Sequence, residues 1–219
     1  MTESYPMRIN KYLAHHKYCT RREADAHIAA GLVKINGRTA VLGDQVHEAD
    51  TVEVLFKTKT YQYFAYNKPR GETTPENENG LFPIGRLDKD SHGLLILTND
   101  GRMTDRLLNP DFEHEKEYIA EVQEKLRPDF ENLMSSGVNI GDYTTRPCDV
   151  HVLGESTFSI TLTEGKKHQI RRMCETLGYT VVDLARTRIM NVSLDRLKAG
   201  AHRKIEGEEL DELLESIGL

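Results

Sequence analysis

The sequence predicts an α+β fold in two units, and three observations carry the prediction. Helical and alternating segments mix along the 219 residues without a regular strand-helix-strand rhythm, which argues against a doubly wound sheet. Residues 7–56 hold a complete small pattern of two helices and short alternating strands, closed by the polar stretch Lys57-Thr58-Lys59-Thr60. Leu94-Leu95-Ile96-Leu97 is a continuous apolar run between Gly93 and Asn99-Asp100-Gly101, the mark of a strand buried on both faces. The expected units are 1–57 and 62–219.

In the first unit, Ile9, Tyr12, Leu13 and His16 fall at helical spacing. Thr20-Arg21-Arg22-Glu23 has the form of a capping box, opening a second helix that ends at Gly31. Val33-Lys34-Ile35-Asn36-Gly37-Arg38 then alternates into an Asn-Gly hairpin turn, and Thr51-Val52-Glu53-Val54-Leu55 alternates again. So small a unit suits binding better than catalysis. Arg8, Lys11, Lys17, Arg21, Arg22, Lys34 and Arg38 surround it, read either as a solvated face or as a phosphate-binding one.

In the second unit, residues 61–66 predict a strand running into Asn67-Lys68-Pro69-Arg70-Gly71, followed by a polar loop over 72–80. The charge-dense loop Gly85-Arg86-Leu87-Asp88-Lys89-Asp90-Ser91-His92-Gly93 precedes the apolar strand, so a carboxylate stands on a stiff base. Spacing alone favours an ordinary surface turn there. Asn99 can cap a helix through Leu108, which Asn109-Pro110 stops. Residues 114–122 form a charged, alternating strand; Pro128 suits the first position of a helix ending near Gly137. Strands follow at 150–152 and 157–163, a helix over 166–177 closing at Gly178, and extended chain over 180–194. On that helix Ile170, Met173, Cys174 and Leu177 share the core face. Arg171 falls at its edge, placed to turn inward towards a carboxylate such as Asp88, while Arg172 points away, free for solvent or a phosphate. Leu210, Leu213, Leu214 and Ile217 predict a terminal helix laid on the body.

Charge and cysteine usage narrow the function. The net charge of -6 resides in residues 206–219, which carry six acidic groups and no Lys or Arg. The rest of the chain is neutral, with basic clusters at Arg21-Arg22, Lys166-Lys167 and Arg171-Arg172, so acidic pI does not argue against a nucleic-acid partner. Cys19, Cys148 and Cys174 are odd in number and far apart, which suggests reduced thiols rather than disulfides or a zinc cluster. No metal-binding histidine spacing occurs, and no metal site is expected. No apolar run approaches the ~18 residues of a membrane span, and the N-terminus lacks the order of a signal peptide. A cytoplasmic monomer without a membrane partner is expected. Asp90 and Asp100 invite a two-carboxylate glycosidase reading, but Asp90 lies in a charged loop and Asp100 fits a turn or helix cap.

Two resemblances add to this reading. Arg8-Ile9-Asn10-Lys11-Tyr12-Leu13, Thr20-Arg21-Arg22-Glu23-Ala24, residues 31–37 and Gly43-Asp44-Gln45-Val46 resemble the RNA-binding domain first described in ribosomal protein S4, which implies docking on structured RNA. Gly85-Arg86-Leu87-Asp88 with Leu97-Thr98-Asn99-Asp100-Gly101, His114-Glu115-Lys116-Glu117-Tyr118, and Glu164-Gly165-Lys166-Lys167-His168-Gln169-Ile170-Arg171-Arg172-Met173 resemble the pseudouridine synthases of the RsuA, RluB, RluE and RluF family. Arg186-Thr187-Arg188-Ile189-Met190-Asn191-Val192-Ser193-Leu194 looks most like its RluF branch. The implied fold is an S4-like domain plus a catalytic domain on a mixed, largely antiparallel sheet with flanking helices.

The resemblance implies isomerisation of uridine to pseudouridine in ribosomal RNA, chiefly that of the large subunit, without cofactor. Small-subunit or transfer RNA is the alternative substrate, and a non-catalytic RNA-binding or ribosome-assembly protein the alternative function. Asp88 matches the nucleophile, Tyr118 the residue that contacts the target base, and Arg171 the partner of the aspartate. A carboxyl of ordinary acidity is ionised at neutral pH, and a guanidinium beside it keeps it so when RNA excludes water. Arg86 would fill the gap left by a flipped base or hold its phosphate; Lys166, Lys167 and Arg172 are further RNA contacts. In the family the segment before the aspartate loop runs longer than the brief, acidic 72–80 here, which bears on substrate choice.

Overall fold

The computed structural model describes residues 5–16, 18–57, 60–76 and 80–219. Lys17, the linker residues Thr58 and Lys59, and Asn77 to Asn79 of the acidic loop lie outside them. The chain divides into two compact units, residues 1–61 with 100–102, and residues 62–99 with 103–219.

The N-terminal unit contains β1 (Met7–Arg8), α1 (Ile9–His15), α2 (Arg21–Ala29), β2 (Val33–Ile35), β3 (Arg38–Thr39), β4 (Gln45–Val46) and β5 (Val52–Val54). The capping box is formed: the Glu23 amide donates to Thr20 Oγ1, and the Thr20 amide donates to the Glu23 carboxylate at 2.9 Å. Asn36 and Gly37 both take positive φ, as a two-residue hairpin turn between β2 and β3 demands. Ile9, Leu13, Ala24, Ile28, Val33, Ile35 and Val46 make the core. The pairing of β1 with β4 had no signal in the sequence, each strand being two residues long.

The larger unit contains β6 (Tyr63–Lys68), β7 (Phe82–Ile84), β8 (His92–Thr98), α3 (Arg102–Leu108, its first residue grouped with the other unit), β9 (Lys116–Val122), α4 (Phe130–Ser135), β10 (Asp149–Val152), β11 (Thr157–Leu162), α5 (Gln169–Thr176), β12 (Val181–Ile189), β13 (Val192–Ser193), β14 (His202–Lys204) and α6 (Glu208–Ser216). Its nine strands form one sheet in the order β10-β11-β9-β12-β8-β6-β14, with β13 on β12 and β7 on β8. Only the β12–β8 pair is parallel, so the sheet is mixed and largely antiparallel, as expected for this α+β fold. Helices α4 and α5 cover one face, where Phe130, Met134, Ile170, Met173 and Cys174 pack on Ala120, Phe158, Ile160 and Leu184.

β8 lies inside the sheet, and Leu94, Leu95 and Ile96 are wholly buried while Leu97 is half-buried, which is why the run is apolar without alternation. Its parallel neighbour lies very close. A Cβ on Gly93 would stand 2.3 Å from the Arg186 carbonyl oxygen, and Gly93 has φ +100, so glycine is required there.

Several expected boundaries shift. Asp100 rather than Asn99 caps α3: its Oδ1 accepts from the Arg102 amide at 3.1 Å, while Asn99 Oδ1 accepts from the Gln62 amide. α4 begins at Phe130, since Pro128 sits in the preceding turn. α5 begins at Gln169, because His168 is left-handed at φ +54 and residues 166–168 form a turn. The terminal helix α6 is docked through Leu213 and Ile217, with Arg106 of α3 donating to the Ile217 carbonyl.

Candidate active site

Loop 85–91 joins β7 to β8 and is held from beneath by the segment that follows β6. Thr74, buried, donates from Oγ1 to the Leu87 carbonyl at 2.8 Å and accepts from the Leu87 amide at 3.0 Å. Lys68 is 0% exposed, and its Nζ donates to the carbonyls of Pro69 at 2.9 Å, Glu72 at 2.6 Å and Lys89 at 3.5 Å. Burial lowers the Lys68 pKa, against the attraction of Glu72, Asp88 and Asp90. The backbone on either side of Asp88 is thus anchored, while its side chain stays 45% exposed.

Asp88 borders a cavity of about 420 Å³ whose wall also includes Arg86, Lys116 and Tyr118 of β9, turn 163–168, Arg171 of α5 and Arg186 of β12. Its apolar surface comes from Leu87, Leu162, Ile170 and Leu184, all buried, and from the exposed Leu108. That combination, an apolar lining with a few convergent polar groups, is the usual constitution of a small-ligand site. The cysteines lie elsewhere, and burial pushes Cys19 and Cys148 up to about 11 and Cys174 to about 12, so none is a thiolate nucleophile.

The expected Arg171–Asp88 ion pair is not formed. Arg171 Nη2 donates to the Asp90 carbonyl at 3.3 Å and to Ser91 Oγ at 3.4 Å, and Nη1 to the Val181 carbonyl at 3.2 Å. Arg171 does turn inward, but the Asp90 and Val181 carbonyls and the Ser91 hydroxyl take up its donors. The group facing Asp88 is His168, with Nε2 at 3.3 Å from Oδ1. His168 reaches it because turn 163–168 is organised by the buried Glu164. That carboxylate accepts from the Arg146 amide at 3.0 Å, Tyr143 Oη at 2.6 Å and Gln169 Nε2 at 2.8 Å, while Gln169 Oε1 accepts from the Lys166 amide at 2.9 Å.

Arg172 is also not the free cation expected. It points away from the core, yet Nη2 is held by Asp142 and the Ile140 carbonyl, which depresses the Asp142 carboxyl. Lys166 and Lys167 are exposed on the cavity wall, Lys166 with its ammonium 4.3 Å from the Tyr143 ring centre. Arg86 is exposed beside Asp88. In the N-terminal unit Arg8, Lys11, Arg21 and Arg22 are exposed and Lys34 is half-buried, whereas Arg38 is engaged by Asp44 at 2.8 Å.

Residues 43–176 match the RNA pseudouridylate synthase family, and residues 7–52 match the S4 domain. The chain belongs to the RNA pseudouridine synthases. This pseudouridine synthase, an isomerase, is 41% identical over 230 residues to the dual-specificity RNA pseudouridine synthase RluF of Escherichia coli K12, covering 96% of this chain and 79% of that one. It is 31% identical to the ribosomal large subunit pseudouridine synthase B of Bacillus subtilis, over 94% of this chain and 95% of that one. A crystal structure of a pseudouridylate synthase superposes with a TM-score of 0.67 at 28% identity, covering 96% of this chain and 99% of that one. No helix among the described residues is long and apolar enough to cross a membrane.

Five residues of the synthase site escaped sequence reasoning: Lys68, Thr74, Lys116, His168 and Arg186. A lysine ending a strand that alternates buried residues, directly before proline, was the available signal for Lys68. For Thr74 there was none, because its partner lies 13 residues away; Lys116, His168 and Arg186 stood inside the resembling motifs, which gave them no role, and the Arg186 partner lies 92 residues away.

Proposed function

We propose that this synthase converts specific uridines of ribosomal RNA, those of the large subunit, to pseudouridine with Asp88 as nucleophile and the target base flipped into the cavity of about 420 Å³. The observation that carries the reading is the meeting of Asp88, Tyr118 and Arg171 in one cavity wall, from elements far apart in the chain. A base inside a stack cannot present its anomeric carbon to a carboxylate, so the nucleotide must be extruded, and an aromatic ring such as Tyr118 is a suitable platform for it. Asp88 then attacks the ribose carbon or assists elimination to a glycal, freeing the uracil to rotate and rejoin through carbon 5.

His168 and Arg171 divide the supporting work. His168, with Nε2 3.3 Å from Asp88 Oδ1, faces the carboxylate from turn 163–168. Arg171 fixes the loop backbone from the far side and is a positioning residue. The name of the B. subtilis relative supports a large-subunit substrate; the dual specificity in the RluF name supports a second RNA target, for which transfer RNA is our candidate. Arg8, Lys11, Arg21 and Arg22, with Lys34, would dock the S4 unit on RNA through phosphates. The test is Asp88→Asn, expected to abolish conversion while RNA affinity stays near wild type; retained turnover sinks the mechanism. Pseudouridine mapping of ribosomal and transfer RNA from cells lacking the protein decides the substrate.

A further inference from the structure

The cavity wall that includes Asp88 also carries two cations whose role the reaction outline above leaves open. Arg186 is 3% exposed and lies directly across from Tyr118 in the β12–β9 register. Its Nε donates to the Leu94 carbonyl at 2.7 Å, Nη1 lies 3.5 Å from Tyr118 Oη, and the guanidinium carbon stands 5.9 Å from the Tyr118 ring centre. Nη2 is buried without any hydrogen-bond partner. Lys116, two residues before Tyr118 on the same face of β9, has its Nζ bonded to the His114 carbonyl at 2.9 Å. Among the described residues neither cation forms an ion pair.

Two unneutralised cations beside an aromatic ring, Arg186 buried and Lys116 half-buried, are costly to withdraw from water. The strain is visible in Lys116, whose pKa falls from 10.5 to about 8, through burial first and Arg186 second. Unpaired buried charge of this kind collects where a reaction supplies the opposite charge. Phosphates have other receptors here, the exposed Arg86, Lys166 and Lys167 around the same cavity. What reaches the ring of Tyr118 is the base.

We propose that Arg186 and Lys116 stabilise the negative charge on the uracil ring while it is detached from the ribose. The inference rests on the uridine-isomerising reading of this site. When the N1–C1′ bond breaks, its electron pair leaves with N1, and the charge spreads onto O2 and O4 of the ring. C1′ is captured by the Asp88 carboxylate, or the sugar gives up its 2′ proton to form the glycal. After rotation the C5–C1′ bond forms, Asp88 departs or the 2′ proton returns, C5 loses its proton and N1 takes one up, so atoms and electrons balance without a co-reactant. A preorganised cation pair acts on this sequence only between the two bond changes. It therefore raises the rate without tightening RNA binding.

The leaving base provides the test. Single-turnover consumption is measured with two synthetic RNAs spanning the mapped site, one with uridine and one with 5-fluorouridine at the target. The fluorinated ring is a weaker base once detached and needs less stabilisation. Arg186→Gln and Lys116→Met should each slow the uridine substrate by about 100- to 1,000-fold with Kd for RNA within about twofold, the loss expected for a missing electrostatic group. With 5-fluorouridine the deficit should shrink by about tenfold or more, and Arg186→Lys should recover part of the rate. Equal deficits on both RNAs, a loss confined to Kd, or wild-type rates would overturn the proposal. If Arg186→Gln does not fold, Lys116→Met carries the test, since its ammonium holds a single carbonyl. Wild-type enzyme that leaves the uridine RNA untouched would instead sink the uridine reading itself.

Discussion

Replacing Thr74 by Val tests whether the short acidic segment before the aspartate loop is a structural clamp. Valine matches threonine in shape but offers no hydroxyl, so the Leu87 amide and carbonyl, now bonded at 3.0 and 2.8 Å, would both be left unsatisfied beside a buried side chain. Each buried group stranded in this way costs about 1–3 kcal/mol, so the pair amounts to roughly 2–6 kcal/mol. For a domain of this size that lowers Tm by roughly 4–24 °C. If the chain relieves the cost by moving the 87–88 peptide, activity falls instead, since a shift of ~1 Å at a reacting group can cost ~100-fold. Calorimetry, single-turnover kinetics and hydrogen exchange at the Leu87 amide together cover both routes. Thr74→Ser, which keeps the hydroxyl, should stay close to wild type. A Val variant with wild-type Tm, rate and amide protection would refute the clamp.

Three other substitutions follow from the same geometry. Gly93→Ala forces a methyl to within 2.3 Å of the Arg186 carbonyl at φ +100, so β8 and β12 must separate; loss of about 3 kcal/mol or more, or failure to yield soluble protein, is expected on denaturant titration. Lys68→Met strands the carbonyls of Pro69 and Glu72, and should lower stability while raising proteolytic cleavage near residues 85–91. Lys116→Met should be more stable than wild type at pH 7 yet less active. Because the folded pKa of about 8 lies below the unfolded value, the folded chain loses this proton first. Its penalty is therefore full below pH 8 and relieved as pH rises towards 10.5, so wild type should gain stability over that window, while turnover declines through pH 8, in pH-dependent unfolding and rate profiles.

How much of this site could be read from the chain depends on how local its physics is. The capping box at Thr20, the Asn36-Gly37 turn and the buried strand around Leu95 are decided by neighbours a few residues away, and they were legible. Asp88, Tyr118 and Arg171 were legible through motif resemblance, yet the contact assigned to Arg171 was not, because nothing in helical spacing says which oxygen a guanidinium will meet. β9 marks the limit: the strand was legible, but not which of its faces would meet the cavity. Its alternating charge, Lys116-Glu117-Tyr118, reads as a solvent face on Glu117 and a mixed one opposite, and period-2 patterning assigns charged residues to water. Here the face with Lys116 and Tyr118 looks into the cavity, and Glu117 is instead engaged by Thr187 and Arg188 of β12. A lysine on an inward face is an error by the patterning rule and a cost by the electrostatic one. Lys116 stands half-buried on the cavity wall and is bonded to the His114 carbonyl, and no local pattern announces either placement, which is why it was less legible than the strand that carries it.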